Sequence, residues 1–343
     1  MSKYVSIQTL IISKDYMSHK NKISVIITAH SGKPLFKRYL IEAINSVVNQ
    51  KGISRDDYEI ILMNNFSDKT IKKMIKQNKI KHIYHNGYLG EKVALGIKNA
   101  KNDIICILEY DDLFLENRLK IIKDKFDKDP RLIYYHNQQF SIETKYIERG
   151  EKFLGYDKHL NLYKKVLFKG PNKFKKLSRF RNLDIAYNNS SIAFKREIFT
   201  TEKLFSLSKI KQDVDHFIFF FMMYNPGVCF FDDKKLTIYR LHRNNMSYQV
   251  LSYPIYIKTR KERLLFQIND LGIIDTIISH KFPYLFNSIR IEKIEYKILA
   301  DKLVINDVPE MLILGMWKHL IYFLDKEYLK KKMFEYWSRT AKW

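Results

Sequence analysis

The chain has 343 residues and carries 61 basic against 37 acidic side chains, a net charge of +24 at pH 7. This length allows one large domain with an appendage or two domains, and the charge favours phosphates, nucleic acid or an anionic membrane as partners. The two cysteines, Cys106 and Cys229, lie in apolar runs without a CxxC spacing, which argues against a disulfide framework or a zinc site and favours the cytoplasm.

Strands and helices alternate through the first 130 residues. Short apolar runs rich in β-branched residues predict strands at 23–28, 58–63, 81–84 and 104–108. Helical spacing of apolar residues predicts helices at 35–50, from Ser67 or Asp68 to about 77, at 90–100 and at 114–128. Such alternation predicts an α/β fold with a mostly parallel central sheet and helices on both faces.

The second half of the chain is less regular. A strand pair is predicted at 131–142, an irregular excursion over the site at 146–180 and a return strand at 187–194. A buried helix at 217–224 and two strands, at 228–231 and 235–239, follow. We divide the chain into a leader or extra strand (1–20), an α/β domain (21–247) and a basic helical C-terminal region (248–343). Its most apolar stretch, 311–324, is shorter than the roughly 20 residues of a membrane span, so we expect no transmembrane helix.

Polar residues follow three of the predicted strands, at 28–32, 64–68 and 109–112. Open α/β sheets bind ligands at the carboxyl ends of their strands. Glu109, Asp111 and Asp112 would repel one another there unless a cation joined them, and Mg²⁺ or Mn²⁺ suits oxygen ligands. The alternative is an acidic turn in which Asp112 caps the next helix.

The order of these motifs resembles that of the family 2 glycosyltransferases with the GT-A fold. The matching features are a β-rich first strand, a helix ending at Gln50, a strand end followed by Ser67, a Gly-containing helix, an acidic fourth-strand end, an acidic pair before an apolar helix, and a late Arg-x-His. The series lies between residues 22 and 247, about two thirds of the chain. The resemblance implies a GT-A catalytic domain over 21–247.

On the donor side, the resemblance implies contacts with a nucleotide. Thr28, His30 and Asn65 would hold the base, and Glu109 would face the ribose. Asn65 stands where the family usually has Asp, and Glu109 stands where it often has Asp. Lys92 is a stand-in for an Arg that the family carries in the Gly-containing helix.

On the catalytic side, the resemblance implies a metal and a base. Asp111 would ligate the metal that bridges the diphosphate, with Asp112 beside it. Arg240 and His242 would face the diphosphate, and His242 could be a second metal ligand. Asp213 matches the general base of the family.

Two departures from the family pattern leave alternatives open. Asn64-Asn65-Phe66-Ser67 replaces the usual Asp-Asp-Gly-Ser, which leaves Asp68 without a role. Gln212 replaces the Glu that usually precedes the base, and Asp215 is close enough to be the base instead of Asp213.

We therefore expect a metal-dependent, inverting glycosyltransferase. It would move a sugar from a UDP- or GDP-sugar to a hydroxyl of a glycan or lipid-linked acceptor. One alternative is a basic nucleic-acid-binding protein, which ranks lower because the sequence has no recognition-helix, RNP-type or zinc-finger pattern. Another is a catalytically inactive relative that serves as a binding subunit, given the asparagines and Gln212.

The last predicted helix, 328–343, carries an apolar face with a basic surround. Leu329, Met333, Phe334 and Trp337 share that face. Such a helix packs on its own domain or lies in a membrane interface. The second alternative suggests peripheral association with the cytoplasmic face of an anionic membrane, where a lipid-linked acceptor would reside.

Overall fold

The computed structural model describes residues 21–30, 33–148, 166–169, 188–242, 253–278 and 283–340. The expected leader at 1–20 and most of the expected excursion at 146–180 lie outside these ranges. Within them, the chain forms the mixed α/β architecture that the sequence predicts.

One sheet contains all the strands that the structure describes, between residues 23 and 241. Its strands are β1 (Ile23–Thr28), β2 (Tyr58–Asn64), β3 (Lys81–Tyr84), β4 (Ile104–Glu109), β5 (Leu113–Phe114), β6 (Leu132–Glu143), β7 (Val166–Phe168), β8 (Ile192–Lys195) and β9 (Val228–Leu241). The order is β3-β2-β1-β4-β8-β6-β9-β5, with β7 on β9. The strands β1, β2, β3 and β4 are parallel, and β6 and β9 share their direction because β8 is antiparallel to both β4 and β6. The prediction of a mostly parallel sheet is confirmed.

Helices cover both faces of the sheet. The α-helices of the described ranges are α1 (Pro34–Val48), α2 (Lys69–Gln77), α3 (Leu89–Asn99), α4 (Arg118–Lys128), α5 (Thr144–Glu148), α6 (Thr201–Ser208), α7 (Val214–Tyr224), α8 (Tyr253–Ile278), α9 (Pro283–Leu299), α10 (Val308–Ile313) and α11 (Lys326–Thr340). The helices α1, α2 and α4 pack on one face, and α3, α6 and α7 pack on the other. Since both faces of β1 are covered, all six of its residues are buried, which explains why four of them are Ile or Val.

The predicted helix at 114–128 begins later than expected. Leu113 and Phe114 form β5 and pair with Ile238 and Thr237 of β9, and α4 begins only at Arg118. The prediction was wrong here because pairing with a strand more than 120 residues away outweighs the local helical spacing.

The strand pair predicted at 131–142 and the two strands predicted at 228–239 were also wrong. Each region is one continuous strand, β6 or β9, and the two run parallel with register shifts near Asn137 and Gln138. The polar stretch 232–235 looks like a turn in the sequence. Its partner strand keeps it extended, and the irregularity is taken up as bulges.

The C-terminal helices form a second core and also join the first. Leu264, Ile298, Leu329 and Met333 lie in the second core, whereas Leu271 of α8 packs in the core beneath the sheet. Of the two alternatives for the last helix, packing on its own domain is the one that holds at Leu329 and Met333, because both side chains are buried in the second core. Of the helices that the structure describes, none is long and apolar enough to cross a membrane.

Candidate active site

The carboxyl ends of β1, β2 and β4 bring three of the predicted loops together. In the sheet register, Thr28 lies between Met63 of β2 and Glu109 of β4. Past the strand ends, the Tyr110 N–H donates to the Thr28 carbonyl at 3.0 Å, and the Ala29 N–H donates to the Met63 carbonyl at 2.9 Å. The sheet therefore places the polar residues that follow these strands at one edge, as the sequence predicts.

Lys92 and His30 form a contact pair beside the end of β1. Lys92 lies on α3 and is fully buried, and its Nζ donates to the Ala29 carbonyl at 2.8 Å. The same Nζ lies 2.9 Å from His30 Nδ1. Burial lowers the pKa of Lys92 to about 8. Desolvation and the Lys92 charge together lower the pKa of His30 to about 4, so the imidazole is neutral at pH 7 and Nδ1 accepts from Lys92.

The end of β2 carries one residue at the site and one that turns away. The Asn65 amide donates to Asn86 Oδ1 at 3.1 Å, in the loop before α3. Asn64 is buried, and its Oδ1 lies 2.7 Å from His82 Nε2 on β3. Asp68 caps α2 by accepting from two backbone N–H groups of its first turn, and it pairs with Lys37 at 3.0 Å. Asp68 thus has a structural role.

Glu109 and Asp112 are held by protein contacts on either side of Asp111. The Asn189 amide donates to Glu109 Oε1 at 2.7 Å. Burial, together with the charges of Asp111 and Asp112, raises the pKa of Glu109 well above its ordinary value. Burial and Asp111 likewise raise the pKa of Asp112 to about 8. The alternative in which Asp112 caps the next helix is wrong, because α4 begins after Asn117.

Asp111 meets the predicted Arg-x-His at the end of β9. Its Oδ2 lies 3.0 Å from His242 Nε2, and its carbonyl accepts from Arg240 Nε at 2.7 Å. Arg240 is fully buried, donates to the Glu42 carboxylate at 2.5 Å and lies 4.2 Å from the centre of the Tyr39 ring. Its backbone N–H also donates to Asp112 Oδ1 at 3.1 Å. Arg240 therefore holds the loop 111–112 through hydrogen bonds from its side chain and its backbone.

The donor atoms around Asp111 fit a cation only in part. Within the described ranges, no cluster of three or more His, Cys, Asp or Glu side chains is arranged to hold a metal ion. Asp111 and His242 could supply one carboxylate and one imidazole. Mg²⁺ and related ions are usually held by one or two carboxylates together with substrate phosphates. The residues present thus suit a cation whose remaining ligands come from a diphosphate.

Asp213 and Asp215 differ in how their carboxylates are used. Asp215 Oδ2 accepts from the Asn188 N–H at 3.0 Å, and its Oδ1 accepts from the His216 N–H at 2.9 Å. Burial, helped by the neighbouring carboxylates Asp215 and Asp270, raises the pKa of Asp213 to about 7, although His216 and Arg263 act in the opposite direction. Both oxygens of Asp215 accept hydrogen bonds from backbone N–H groups. Asp213 is therefore the better placed of the two to exchange a proton.

Sequence reasoning missed the turn Asn188–Ser191, which lies between these two carboxylates and β4. Asn188 has a φ of +86°, a conformation that residues other than glycine rarely adopt. Its side chain donates to Gln139 at 2.6 Å and accepts from the Ser190 N–H at 2.9 Å, and Ser190 Oγ accepts from the Glu109 N–H at 3.0 Å. The run Asn-Asn-Ser-Ser before a strand was the available signal, since these residues favour turns.

Comparison with known proteins gives a family match over the first part of the site. The model of glycosyl transferase family 2 matches residues 24–200. This span contains the strand-end residues from Thr28 to Asp112. The residues Asp213, Arg240 and His242 lie beyond it.

Two curated relatives are described as uncharacterized glycosyltransferases of Rickettsia. The protein from Rickettsia bellii (strain RML369-C) is 33% identical over 136 residues, which cover 37% of this chain and 18% of the relative. The protein from Rickettsia felis (strain ATCC VR-1525 / URRWXCal2) is 33% identical over 139 residues, which cover 38% of this chain and 21% of the relative. The alignments therefore span only about a fifth of the length of these relatives.

Crystal structures of S. aureus TarS 1–349 share the fold. One superposes with a TM-score of 0.59 at 11% identity and covers 93% of this chain and 92% of TarS 1–349. A second, in complex with UDP, superposes with a TM-score of 0.50 at 12% identity and covers 82% and 90% of the two chains. At such identities the similarity establishes the architecture alone.

Proposed function

We propose that this chain, which belongs to glycosyl transferase family 2, moves a sugar from a nucleotide-sugar donor to a hydroxyl group of an acceptor. The observation that carries the proposal is the 3.0 Å contact between Asp111, after β4, and His242, after β9. It joins a carboxylate and an imidazole at the edge of the sheet where α/β proteins bind ligands.

The donor is a UDP- or GDP-sugar, with UDP favoured. A structure with the same fold, S. aureus TarS 1–349, was obtained in complex with UDP. Thr28 Oγ1 is buried and has no hydrogen-bond partner among the residues that the structure describes, so it can bond a base that enters beside it. His30 and Asn65 flank it on the neighbouring loops, and Glu109 is the candidate partner of the ribose.

The diphosphate lies against Asp111 and His242, which would hold Mg²⁺ or Mn²⁺ together with its oxygens. When bound, the ion offsets the negative charge that builds on the leaving nucleoside diphosphate. Arg240 can donate a hydrogen bond to the diphosphate. One of its guanidinium nitrogens, Nη1, is buried and meets no hydrogen-bond partner within the described part of the chain. Asp112 keeps the Arg240 backbone in place and so maintains the position of the pair.

The transfer is an inverting displacement in which Asp213 is the general base. The acceptor hydroxyl forms a new C–O bond at the anomeric carbon, its proton passes to the Asp213 carboxylate, and the bond to the diphosphate breaks. A base whose pKa is near 7 combines the ionised form with a useful driving force, and burial gives Asp213 such a pKa.

The acceptor is a glycan or a lipid-linked glycan, reached by peripheral association with the cytoplasmic face of an anionic membrane. The net charge of +24 supports this attraction. Large apolar side chains in the C-terminal region, Ile313, Trp317 and Leu324, are 77%, 60% and 89% exposed. Flotation with vesicles that contain anionic phospholipid tests it. Binding that is equal with neutral vesicles would remove the support.

The decisive experiment measures donor use and transfer for the purified chain. UDP- and GDP-sugars are screened with Mn²⁺, and release of the corresponding nucleoside diphosphate is compared between wild type, Asp111→Ala and Asp213→Asn. We expect Asp111→Ala to lose donor turnover and Asp213→Asn to lose roughly 10²–10⁴-fold in kcat while it still binds donor.

Each alternative has its own outcome. An inactive Asp215→Asn beside an active Asp213→Asn would move the base by two residues. Unchanged turnover in Asp111→Ala would contradict the metal site. Donor binding by calorimetry without any turnover would show a binding subunit instead of an enzyme.

A further inference from the structure

The segment Lys211–Asp213 connects α6 to α7 and is held from the side of α3. The Leu89 N–H donates to the Lys211 carbonyl at 3.2 Å, and the Gly90 N–H donates to the Ile210 carbonyl at 3.1 Å. A Cβ on Gly90 would lie 2.3 Å from that carbonyl oxygen, so only glycine permits this approach. The carbonyl side of the segment is thereby fixed to the helix that carries Lys92.

The N–H side of the same segment is held by one carboxylate, Asp270. Asp270 lies on α8 and is fully buried. It accepts from the backbone N–H groups of Lys211 at 2.9 Å, Gln212 at 2.9 Å and Asp213 at 3.1 Å. The Asn269 amide also donates to it, at 3.1 Å. Successive backbone N–H groups that converge in this way form a concave binding site for an anion, and here the anion is a side chain.

We propose that Asp270 is a positioning residue for the transfer reaction, and that its carboxylate fixes the backbone of Lys211–Asp213 and so the place of the Asp213 side chain. The inference rests on the proposed role of Asp213 as the base. It assigns to α8, in the C-terminal helical region, a part in catalysis. Asp270 itself does not touch the reacting atoms.

A second contact makes the same connection between α8 and this segment. The Gln212 side chain donates to the Arg263 carbonyl at 3.1 Å, and Arg263 precedes Asp270 by seven residues on α8. The backbone N–H groups of the dipeptide before Asp213 and the Gln212 side chain are thus tied to α8, while its carbonyl side is tied to α3. A base held by backbone contacts on two sides loses little freedom when the acceptor arrives, and a displacement of about 1 Å at such a site can cost roughly 10²-fold in rate.

The charge of Asp270 also acts on Asp213 directly. A neighbouring carboxylate disfavours the ionised form, so Asp270 contributes to the raised pKa of Asp213. Asp215 acts in the same direction, whereas His216 and Arg263 act in the opposite one. The charged and titratable groups that face Asp213 are Asp215 and His216 of α7, Arg263 and Asp270 of α8, and Tyr296 of α9.

The test is Asp270→Asn, measured as kcat, donor KM and the pH profile of kcat/KM. We expect kcat to fall about 10- to 100-fold with an unchanged donor KM. Because the negative charge is lost, the acid limb of the profile should move about one unit to lower pH. Hydrogen exchange at the amides of residues 211–213 should become faster, which checks the contact without any use of activity.

Two further variants keep the test sharp. Asp270→Glu retains the charge on a longer side chain, so it should lower kcat while the acid limb stays near its wild-type pH. It also serves if Asp270→Asn fails to fold. Asp275→Asn removes another carboxylate from the same helix and should leave kcat, the profile and exchange at 211–213 unchanged.

The failure of this inference differs from the failure of the proposed function. If Asp213→Asn abolishes transfer while Asp270→Asn keeps wild-type kcat, profile and exchange, the base stands and the positioning role is wrong. If Asp213→Asn transfers normally, the base assignment is wrong, and faster exchange in Asp270→Asn would then report a purely structural contact.

Discussion

The donor half of the site and the base segment are built by different kinds of contact. The donor half, at the ends of β1, β2 and β4, rests on strands that lie beside one another in the sheet and follow one another closely in the chain. The base segment, residues Lys211–Asp213 with the proposed base at its end, is held by Asp270, which lies 57 residues beyond Asp213. The first arrangement follows from the sheet itself, whereas the three backbone N–H groups of the second depend on one buried side chain.

The comparison teaches where each half is vulnerable. Parallel strands carry many equivalent hydrogen bonds, so no single bond decides the place of Thr28 or Glu109. At the base segment, three N–H groups depend on one carboxylate. Substitutions in the donor half should therefore act mainly through lost ligand contacts, and substitutions at the base segment should act through lost position.

Arg240→Met should give the largest loss of stability and would test whether the donor half is really independent of distant contacts. Arg240 is fully buried, and its loss leaves Glu42 Oε2 and the Asp111 carbonyl without the guanidinium that donates to them. We expect the free energy of unfolding to fall by about 3 kcal/mol, measured by urea denaturation.

Arg38→Met is the matched control for that variant. Arg38 pairs with the same Glu42 at 3.0 Å, but its side chain is 51% exposed. Its removal should cost less than about 1 kcal/mol. Equal losses for the two variants would show that burial of Arg240 contributes nothing to the donor half.

Gly90→Ala should affect the junction between the two halves. The new Cβ would lie 2.3 Å from the carbonyl oxygens of Leu207 and Ile210, which are backbone atoms that cannot move aside cheaply. We expect a loss of about 1–3 kcal/mol in the free energy of unfolding, together with a lower kcat.

Gly272→Ala offers the contrast on α8. Among the residues that the structure describes, a Cβ there meets only Lys293 Nζ within 4 Å, at 3.7 Å. Alanine should stabilise the helix by about 0.5–1 kcal/mol, since glycine is unfavourable in a helix interior. Thermal unfolding of both variants would settle the matter, and a stable Gly90→Ala would contradict the close contact between α3 and the base segment.

The pH dependence of transfer should separate the halves without any substitution. Burial raises the pKa of Asp213 to about 7, and a protonated carboxyl cannot accept the proton of the acceptor. The active fraction should be roughly one tenth at pH 6 and one half at pH 7 if this group alone controls the limb. Donor binding, measured by calorimetry, should not follow the same limb. A flat rate between pH 6 and 8 would remove Asp213 as the base.

Asp68→Ala should give the smallest effect and should not reach the site. Asp68 caps α2, and loss of such a cap typically costs about 1 kcal/mol. We expect a small fall in the unfolding midpoint and an unchanged kcat and donor KM. A raised donor KM would instead give Asp68 a place in nucleotide binding.

The contrast between local contacts and contacts with distant residues also decides what the sequence could predict. Strands β1 and β3 have the predicted ends, because short apolar runs beside turns specify buried parallel strands. The short strand β5 and the continuous β9 were missed, since both depend on pairing with residues far along the chain. Local patterns carry no information about such partners.

Within the site, the sequence predicted the strand-end residues better than their supports. Asp111 and His242, which the resemblance names as possible metal ligands, lie 3.0 Å apart, whereas their roles stay predictions. Asp270 was missed because a single carboxylate in a long helix normally faces solvent, and nothing around it in the sequence marks it as buried. Asn188 was missed although its polar turn was visible, because its contact with Gln139 arises only when β6 lies alongside.

The alternation of side chains along the end of β9 limits how this gene can change. Arg240 and His242 are two positions apart and both reach Asp111, one at its carbonyl and the other at its carboxylate. Successive residues of a strand face opposite sides, so one residue inserted between the bulges and Arg240 would present Tyr239 and Leu241 there instead, and a deletion would likewise turn Arg240 to the opposite side. Evolution can therefore exchange single residues along this strand, but in-frame insertions and deletions of a single codon should be eliminated.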